Sequence, residues 1–589
     1  MKNNKIIQLI SRPILFVLFC SLVMNLLTSV QANAATIPVS SIAALKTAIT
    51  KSVPDDIIIL ADGTYLNTTL TISKSNITVK AASPGGVFLN GTDAITLSGN
   101  NITFSGFQFT SNTTMTGSPI TVSGNSNTLT QLNFNGYSAD HMIYITGSYN
   151  TISYSNFQNK PAIMIAKAGT GDLIQIIPNG IGNNKIQYCS FQHLPGMGGD
   201  YGNECIRIGN SSYATVISRT IVEYCYFEDT GLGDSETISV KSMENVLRFN
   251  TMRNNQQTNF CFRNGNNNVA YGNFFINAGG IRVKEANNIY CYNNYFENCG
   301  DGSLSAPIKY VYDETSTKDH LNNLNFIHNT FVGGTPIQLG KLITPNNGNI
   351  AVTTFTNNTW ANNIFKNTKA KIFSETVTGN SFAGNIYNGN LGINVASGVN
   401  NIDPLLVLNG EGYYGLSSAS PAIDAASPSY PAILDIPSTD NDPNLLFDTG
   451  RKSRPTTITL KDVGSDEFTT GVTTNHPLVL SEVGPSYLGG PSLSLNSTEL
   501  LNQKHIINIF PNPTTTSFSI ETSSTVGELL KVAIYNLNGQ LVKKDADFQK
   551  KSSSSHYNQY DVSDLNNGIY FVKLVSEKTS RTMKLIINK

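Results

Sequence analysis

The chain is poor in charge. Lys, Arg, Asp and Glu make up 13% of its 589 residues, about half the usual share, and the formal net charge is −1. That balance excludes the broad basic surface of a nucleic-acid binder and equally a strongly acidic chain. Cysteine is scarce: seven residues, with no Cys-x-x-Cys spacing, so no zinc pattern is present. Long apolar runs are missing beyond the first, "PILFVLFCSLVMNLL". Lys2, Lys5 and Arg12 precede that run and Ala32-Asn33-Ala34 follow it, which predicts a cleaved secretory signal over residues 1–34 and no membrane span after its removal. Phe19 before Cys20 argues against a lipoprotein cleavage box. Export permits disulfides among Cys189, Cys205, Cys225, Cys261, Cys291 and Cys299. Their strand-like settings ("QYCSF", "EYCYF") instead predict small buried residues stacked between coils.

What is abundant is Asn, Ser, Thr and Gly, arranged as a repeat. A polar turn, an alternating strand, then Asn or Ser before an aromatic recur in "NNITFSGFQF", "NTISYSNFQN", "NKIQYCSFQH", "NVAYGNFFIN" and "NIYCYNNYFENC". The matching positions are Phe107, Phe134, Phe157, Phe191, Phe227, Met252, Phe275, Phe296, Phe331, Phe365 and Tyr387, at steps of 21 to 36 residues. Short strands at such a period, with no helical pattern, predict a solenoid whose coils bury their apolar faces by stacking. Asn suits the left-handed corners, and the variable step puts insertions in the turns. Residues 35–470 therefore read as a parallel β-helix, right-handed by the usual chirality of parallel crossovers. Residues 471–505, rich in Ser, Thr, Gly and Pro, read as a linker. Residues 506–589 read as a small β-sandwich.

The strand period assigns faces. In "NECIRIG", Ile206 and Ile208 face inward, and Asn203, Cys205 and Arg207 outward. In "TISVKS", Ile238 and Val240 face inward, and Thr237, Ser239 and Lys241 outward. Arg263 in "NFCFRNG" and both Arg282 and Lys284 in "GGIRVKE" also point out. Arg207, Lys241, Arg263 and Arg282 are separated by 34, 22 and 19 residues, about one coil each. If they share a face they form a basic stripe along the axis, suited to a linear anionic polymer. Asp234 and Glu236 have the parity of the buried positions, which is costly; a coil corner between Glu236 and Ile238 would bring both to the groove edge. With Asn203 they make a hard-oxygen set suited to calcium.

Those groups match one chemistry. A neutral lysine can take the C5 proton of a uronic acid, neighbouring cations favour the neutral form, and a bound calcium would stabilise the charge that develops on the uronate carboxylate. The oxygen on C4 then leaves, assisted by an arginine. Hydrolysis needs two carboxylates flanking the bond; Asp55 and Asp56 lie far from the stripe, while Asp234 and Glu236 remain a possible pair without metal.

"YFEDTGLGDSETISVKSMENVLRFNTMRNN", "FCFRNGNNNVAYGNFF" and "GGIRVKEANNIYCYNNYFENC" together resemble polysaccharide lyase family 6, which contains alginate lyases and the chondroitinase B type. The resemblance implies Lys241 as Brønsted base and Arg263 on the acid side. It implies calcium held by Asn203, Asp234 and Glu236, and substrate contacts from Arg207 and Arg282. The chain departs from the family pattern in having Asp234 for the usual Glu and Asn264 for the usual His. Its acidic turn and its Lys-to-Arg interval are each one residue longer. These departures leave open altered or calcium-independent activity. "FPNP", "YNLNGQLV", "LNNGIYFVKL" and "KLIINK" resemble the C-terminal sorting domain of the type IX secretion system. That resemblance implies a Bacteroidetes bacterium, passage through the periplasm, and release or display at the outer surface. The reading is an exported alginate lyase. Its alternatives are a dermatan or chondroitin sulfate lyase and a non-catalytic glycan-binding protein.

Overall fold

The computed structural model describes residues 34–111, 113–161, 171–194, 204–230, 236–312, 321–342, 356–374 and 379–491. Near the C-terminus it describes 507–510, 514–522, 531–536, 540–544, 557–575 and 580–589. The predicted signal lies outside these residues except for Ala34. Among them no helix is long and apolar enough to cross a membrane.

Strands of three to eight residues wind into three long parallel sheets of 14, 11 and 14 strands. Within each sheet every strand pairs with its equivalent one coil away. This is the predicted parallel β-helix. Its core is a column of rungs. Phe134, Phe157, Phe191, Phe227, Met252, Phe275, Phe296, Phe331, Phe365 and Tyr387 pair in unbroken register. The first rung differs from the sequence reading: Phe134 lies opposite Phe109, and Phe107 opposite Val87. Both Phe107 and Phe109 are inward in a short strand, so period alone could not choose between them. Successive rings stack, with centroids 5.2 Å apart for Phe134–Phe157 and 4.8 Å for Phe275–Phe296.

Asparagine fixes the corners. Asn250, Asn273, Asn294, Asn329, Asn363 and Asn385 are fully buried, and each of the first five donates its amide to the next at 2.9–3.0 Å. The amides of the middle rungs also satisfy strand-end carbonyls, as Asn273 does for Leu247. The ladder therefore answers the corner's unpaired backbone groups without water. All six described cysteines are free and buried, as the stacking reading expects.

A capped helix, Ile42–Lys51, packs Leu45, Ala48 and Ile49 into the first coils. It covers an end that would otherwise offer open strand edges. The last paired rung of the solenoid is Val399–Asn401. Residues 402–491 then run mostly irregularly back along the outside. The stretch expected to begin a linker at 471 is packed structure as far as 491. Asn475 is buried and donates to the carbonyls of Gly272 and Thr449, and Leu478 and Val483 pack on Tyr226. Its Gly and Pro content reflects a strap held by side-chain hydrogen bonds rather than a free chain.

The chain divides into two units, 1–491 and 492–589. The second has antiparallel sheets of three and four strands. Their core contains Phe518, Val532, Ile534, Tyr560, Val562, Val572, Leu585 and Ile587.

Candidate active site

The charged residues singled out above converge on the 11-stranded sheet. Its strands Ile206–Gly209, Glu236–Lys241, Asn259–Arg263 and Ile281–Lys284 are consecutive. Ile206, Ile238, Phe260 and Ile281 share one inward row, and Ile208, Val240, Phe262 and Val283 the next. All eight are fully buried. The outward positions form two rows on one face. The first reads Gln175, Arg207, Ser239, Cys261, Arg282, Lys309. The second holds Gly209 opposite Lys241 and Arg263 opposite Lys284; Val240 opposite Phe262 puts Lys241 and Arg263 next to each other in it. The four predicted cations thus share a face, but they zigzag between rows two residues apart.

Glu236 reaches that face through a bulge. It pairs with Asn259 while Ile238 pairs with Phe260, so two residues oppose one. The expected coil corner is this register shift, and it turns a carboxylate of inward parity toward the cations. Glu236 Oε1 accepts from Arg263 at 3.0 Å and lies 3.8 Å from Arg282; Oε2 accepts from Ser239 at 2.5 Å. Burial alone would raise its pKa. The charges of Arg263, Arg282 and Lys241 and the Ser239 hydroxyl overcome that and hold it at about 2. Around this carboxylate stand three cations, Lys241, Arg263 and Arg282, and Lys284 follows opposite Arg263 on the next coil. Cys261, fully buried beneath them, has its thiol pushed up to about 12, by burial first and then by Glu236.

Arg207 belongs to a different network. Its Nε pairs with Asp172 at 2.8 Å, and Asp172 is completely buried. In the amide orientation that satisfies both neighbours, Gln175 donates to His141 Nε2 at 2.9 Å and accepts from Arg207 Nη2 at 2.6 Å. Burial, then Glu204, raises the Asp172 pKa well above the carboxylate range. Burial lowers Lys160 to about 8 against the pull of Asp172, Glu204 and Asp140. Lys160 also donates to the carbonyl of Gly171.

Two outward assignments need correction. Cys205 lies in the apolar core, and Thr237 is buried with its hydroxyl on Thr258. Alternation holds only from Ile206 and Ile238, where the continuous register between these two strands begins. Asn203 and Asp234 lie outside the described residues. Asp56, half of the early acidic pair, caps the backbone amides of Ala35 and Val53. The site residues that sequence reasoning left out are Lys284, Ser239 and the Asp172 network. A signal for the last was present: "DLIQI", "ECIRI" and "ETISV" each put an acid two residues before the first inward Ile, which aligns Asp172, Glu204 and Glu236 on successive coils.

The family model for chondroitinase B matches residues 39–403, well over half the chain, and the protein belongs to that family. A second model, the secretion system C-terminal sorting domain, matches residues 508–588 and marks the protein for export to the cell surface or beyond. Among solved structures, a variant of the PL6 family alginate lyase AlyGC superposes with a TM-score of 0.60 at 20% identity, over 78% of this chain and 59% of that one. The unmodified AlyGC gives 0.56 at 22% identity, over 68% of this chain and 59% of that one. The chain thus spans about three fifths of these lyases. A mannuronic acid specific family 6 lyase from human gut microbiota gives 0.51 at 19% identity, over 63% and 91%. At these identities the likeness establishes the shared fold. No curated protein sequence matches the chain.

Proposed function

We propose that the protein is an exported lyase that cleaves a polyuronate, alginate first among candidates, by β-elimination. The observation that carries this reading is the charge imbalance of the site. Three cations surround one carboxylate on one face of a long solenoid, with a fourth, Lys284, on the next coil, in a chain with few charges. A linear polyanion supplies the missing negative charge along the same axis. The structures that share the fold are described as alginate lyases.

Lys241 accepts the C5 proton, the electron pair of the C5–H bond becomes the C4–C5 double bond, and the C4–O4 bond breaks with its pair leaving on O4. Arg263 hydrogen-bonds the departing O4, which takes up a proton. Arg282 orients the uronate carboxylate. Glu236 holds both guanidiniums in place, and the paired Arg207 steadies the adjoining coil and borders the substrate path.

Calcium fits Glu236 on chemical grounds: the carboxylate is buried and held ionised, as a hard cation requires. Among the described residues no group of three His, Cys, Asp or Glu could hold a metal; the further ligands that the family resemblance implies, Asn203 and Asp234, lie outside them. When bound, the ion would supply positive charge to the uronate carboxylate as the proton leaves.

The test is the ultraviolet absorbance of the unsaturated product on alginate and on dermatan sulfate, with and without chelator. A rise on alginate that vanishes in Lys241→Ala supports the reaction, and its loss on chelation supports the metal. A rise on dermatan sulfate alone keeps the chemistry and moves the substrate to the second reading, which the matching family model favours. No rise on any uronate polymer sinks the lyase reading.

A further inference from the structure

Lys284 stands in the row that carries Lys241 and Arg263, opposite Arg263 on the next coil. Neighbouring strands place it about 4.8 Å further along the axis. The side chain is half-buried and projects from the same face as Arg282. Burial and the charges of Arg263 and Arg282 all disfavour its ammonium, and Glu285 acts in the opposite sense.

Glu285 is held elsewhere. Its backbone is left-handed, with φ 53°, and its Oε2 accepts from the Asn264 amide at 2.7 Å. Asn264 is itself left-handed at φ 64° and buried. The two residues close the turn beneath Lys284. The other carboxylate of the site, Glu236, is engaged by Arg263 and Arg282. Among the described residues no carboxylate lies within ion-pair distance of the Lys284 ammonium. Cations brought together and partly desolvated without matching counter-charge are costly until an anion enters.

We propose that Lys284 is a carboxylate subsite. It takes the uronate that lies one coil beyond Arg263, on the side away from Arg207, next to the sugar that loses its proton. The proposal rests on the polyuronate reading above. The subsite fixes the polymer's position along the axis and leaves the proton transfer to Lys241.

Lys284→Gln removes the charge at similar length, and Lys284→Arg keeps it. Steady-state rates on polymeric alginate, with titration calorimetry of alginate binding, decide the matter. Lys284→Gln is expected to raise KM about ten-fold with kcat within two-fold, the size of one charge-assisted hydrogen bond. Lys284→Arg is expected to recover most of that loss, and added salt to narrow the gap between wild type and Lys284→Gln. An unchanged KM in Lys284→Gln, or a fall in kcat alone, overturns the subsite. Binding by wild type without turnover sinks the lyase reading but leaves the subsite to the calorimetric Kd of Lys284→Gln, which must rise. No binding of wild type to alginate or dermatan sulfate overturns both.

Discussion

Two charged clusters lie side by side on one sheet and are built on opposite plans. In the first, the buried Lys160 and Arg207 face the buried Asp172 and Glu204, and Asp140 also acts on Lys160, so the cations are matched by carboxylates. In the second, Lys241, Arg263 and Arg282 surround Glu236, and Lys284 stands one coil beyond Arg263 while its neighbour Glu285 is held by Asn264. The first closes its own circuit and reads as structure. The second is incomplete and reads as a binding surface. In a solenoid whose coils repeat the same outward positions, the number of counter-ions distinguishes scaffold from site.

The comparison breaks most sharply at Lys241. Lys241→Ala is expected to lower kcat on alginate by about a thousand-fold, the scale of a lost general base, with binding by calorimetry and the melting temperature little changed. An inert Lys241→Ala that also melts early would place Lys241 with the structural cluster. Asp172→Ala is expected to do the reverse. It strands Arg207 as a buried cation, costing about 3–5 kcal/mol, which urea denaturation would register. A variant as stable as wild type would remove the contrast between the clusters.

A smaller effect sharpens it through pH. His141 is held neutral, its pKa lowered from 6.5 to about 4, by burial first and then by Arg207 and Lys160; Asp140 and Asp172 act against them. The unfolded chain takes up this proton first. The stability carried by neutral His141 is therefore intact above about pH 6.5 and lost as pH falls toward about 4. Between pH 7 and 5 wild type should lose more stability than His141→Gln in denaturant titrations; equal losses would mean that His141 is solvated. The smallest effect is at the surface. The partly exposed Lys366–Asp403 pair, 3.0 Å apart, should contribute less than about 1 kcal/mol, so Lys366→Ala should leave the urea midpoint nearly unmoved.

Much of this was legible in the sequence because a β-helix repeats its grammar. The Phe column, the corner asparagines and the outward parity of Arg207, Lys241, Arg263 and Arg282 all follow from period two within strands and one rung per coil. The reading failed where the period is interrupted. The bulge at Glu236–Ile238 consumes a residue and reverses the carboxylate's apparent direction. Cys205 precedes the first paired residue of its strand, so alternation did not apply to it. Asn475 and Leu478 looked like linker because their partners, Gly272 and Thr251, lie some 200 residues earlier in the chain.

The sequence by itself determined the architecture, the face that carries the cations and the export signal at the C-terminus, since each depends on local period or a contiguous motif. Only the tertiary structure decided which cations have partners. Arg207 and Lys284 look alike in sequence, each an outward base in an Ile- or Val-bearing strand. Asp172 reaches Arg207 from the previous coil, 35 residues earlier, while Asn264 draws Glu285 away from Lys284. Charge compensation is set by distances across coils, and insertions of variable length in the turns keep those distances out of any local pattern.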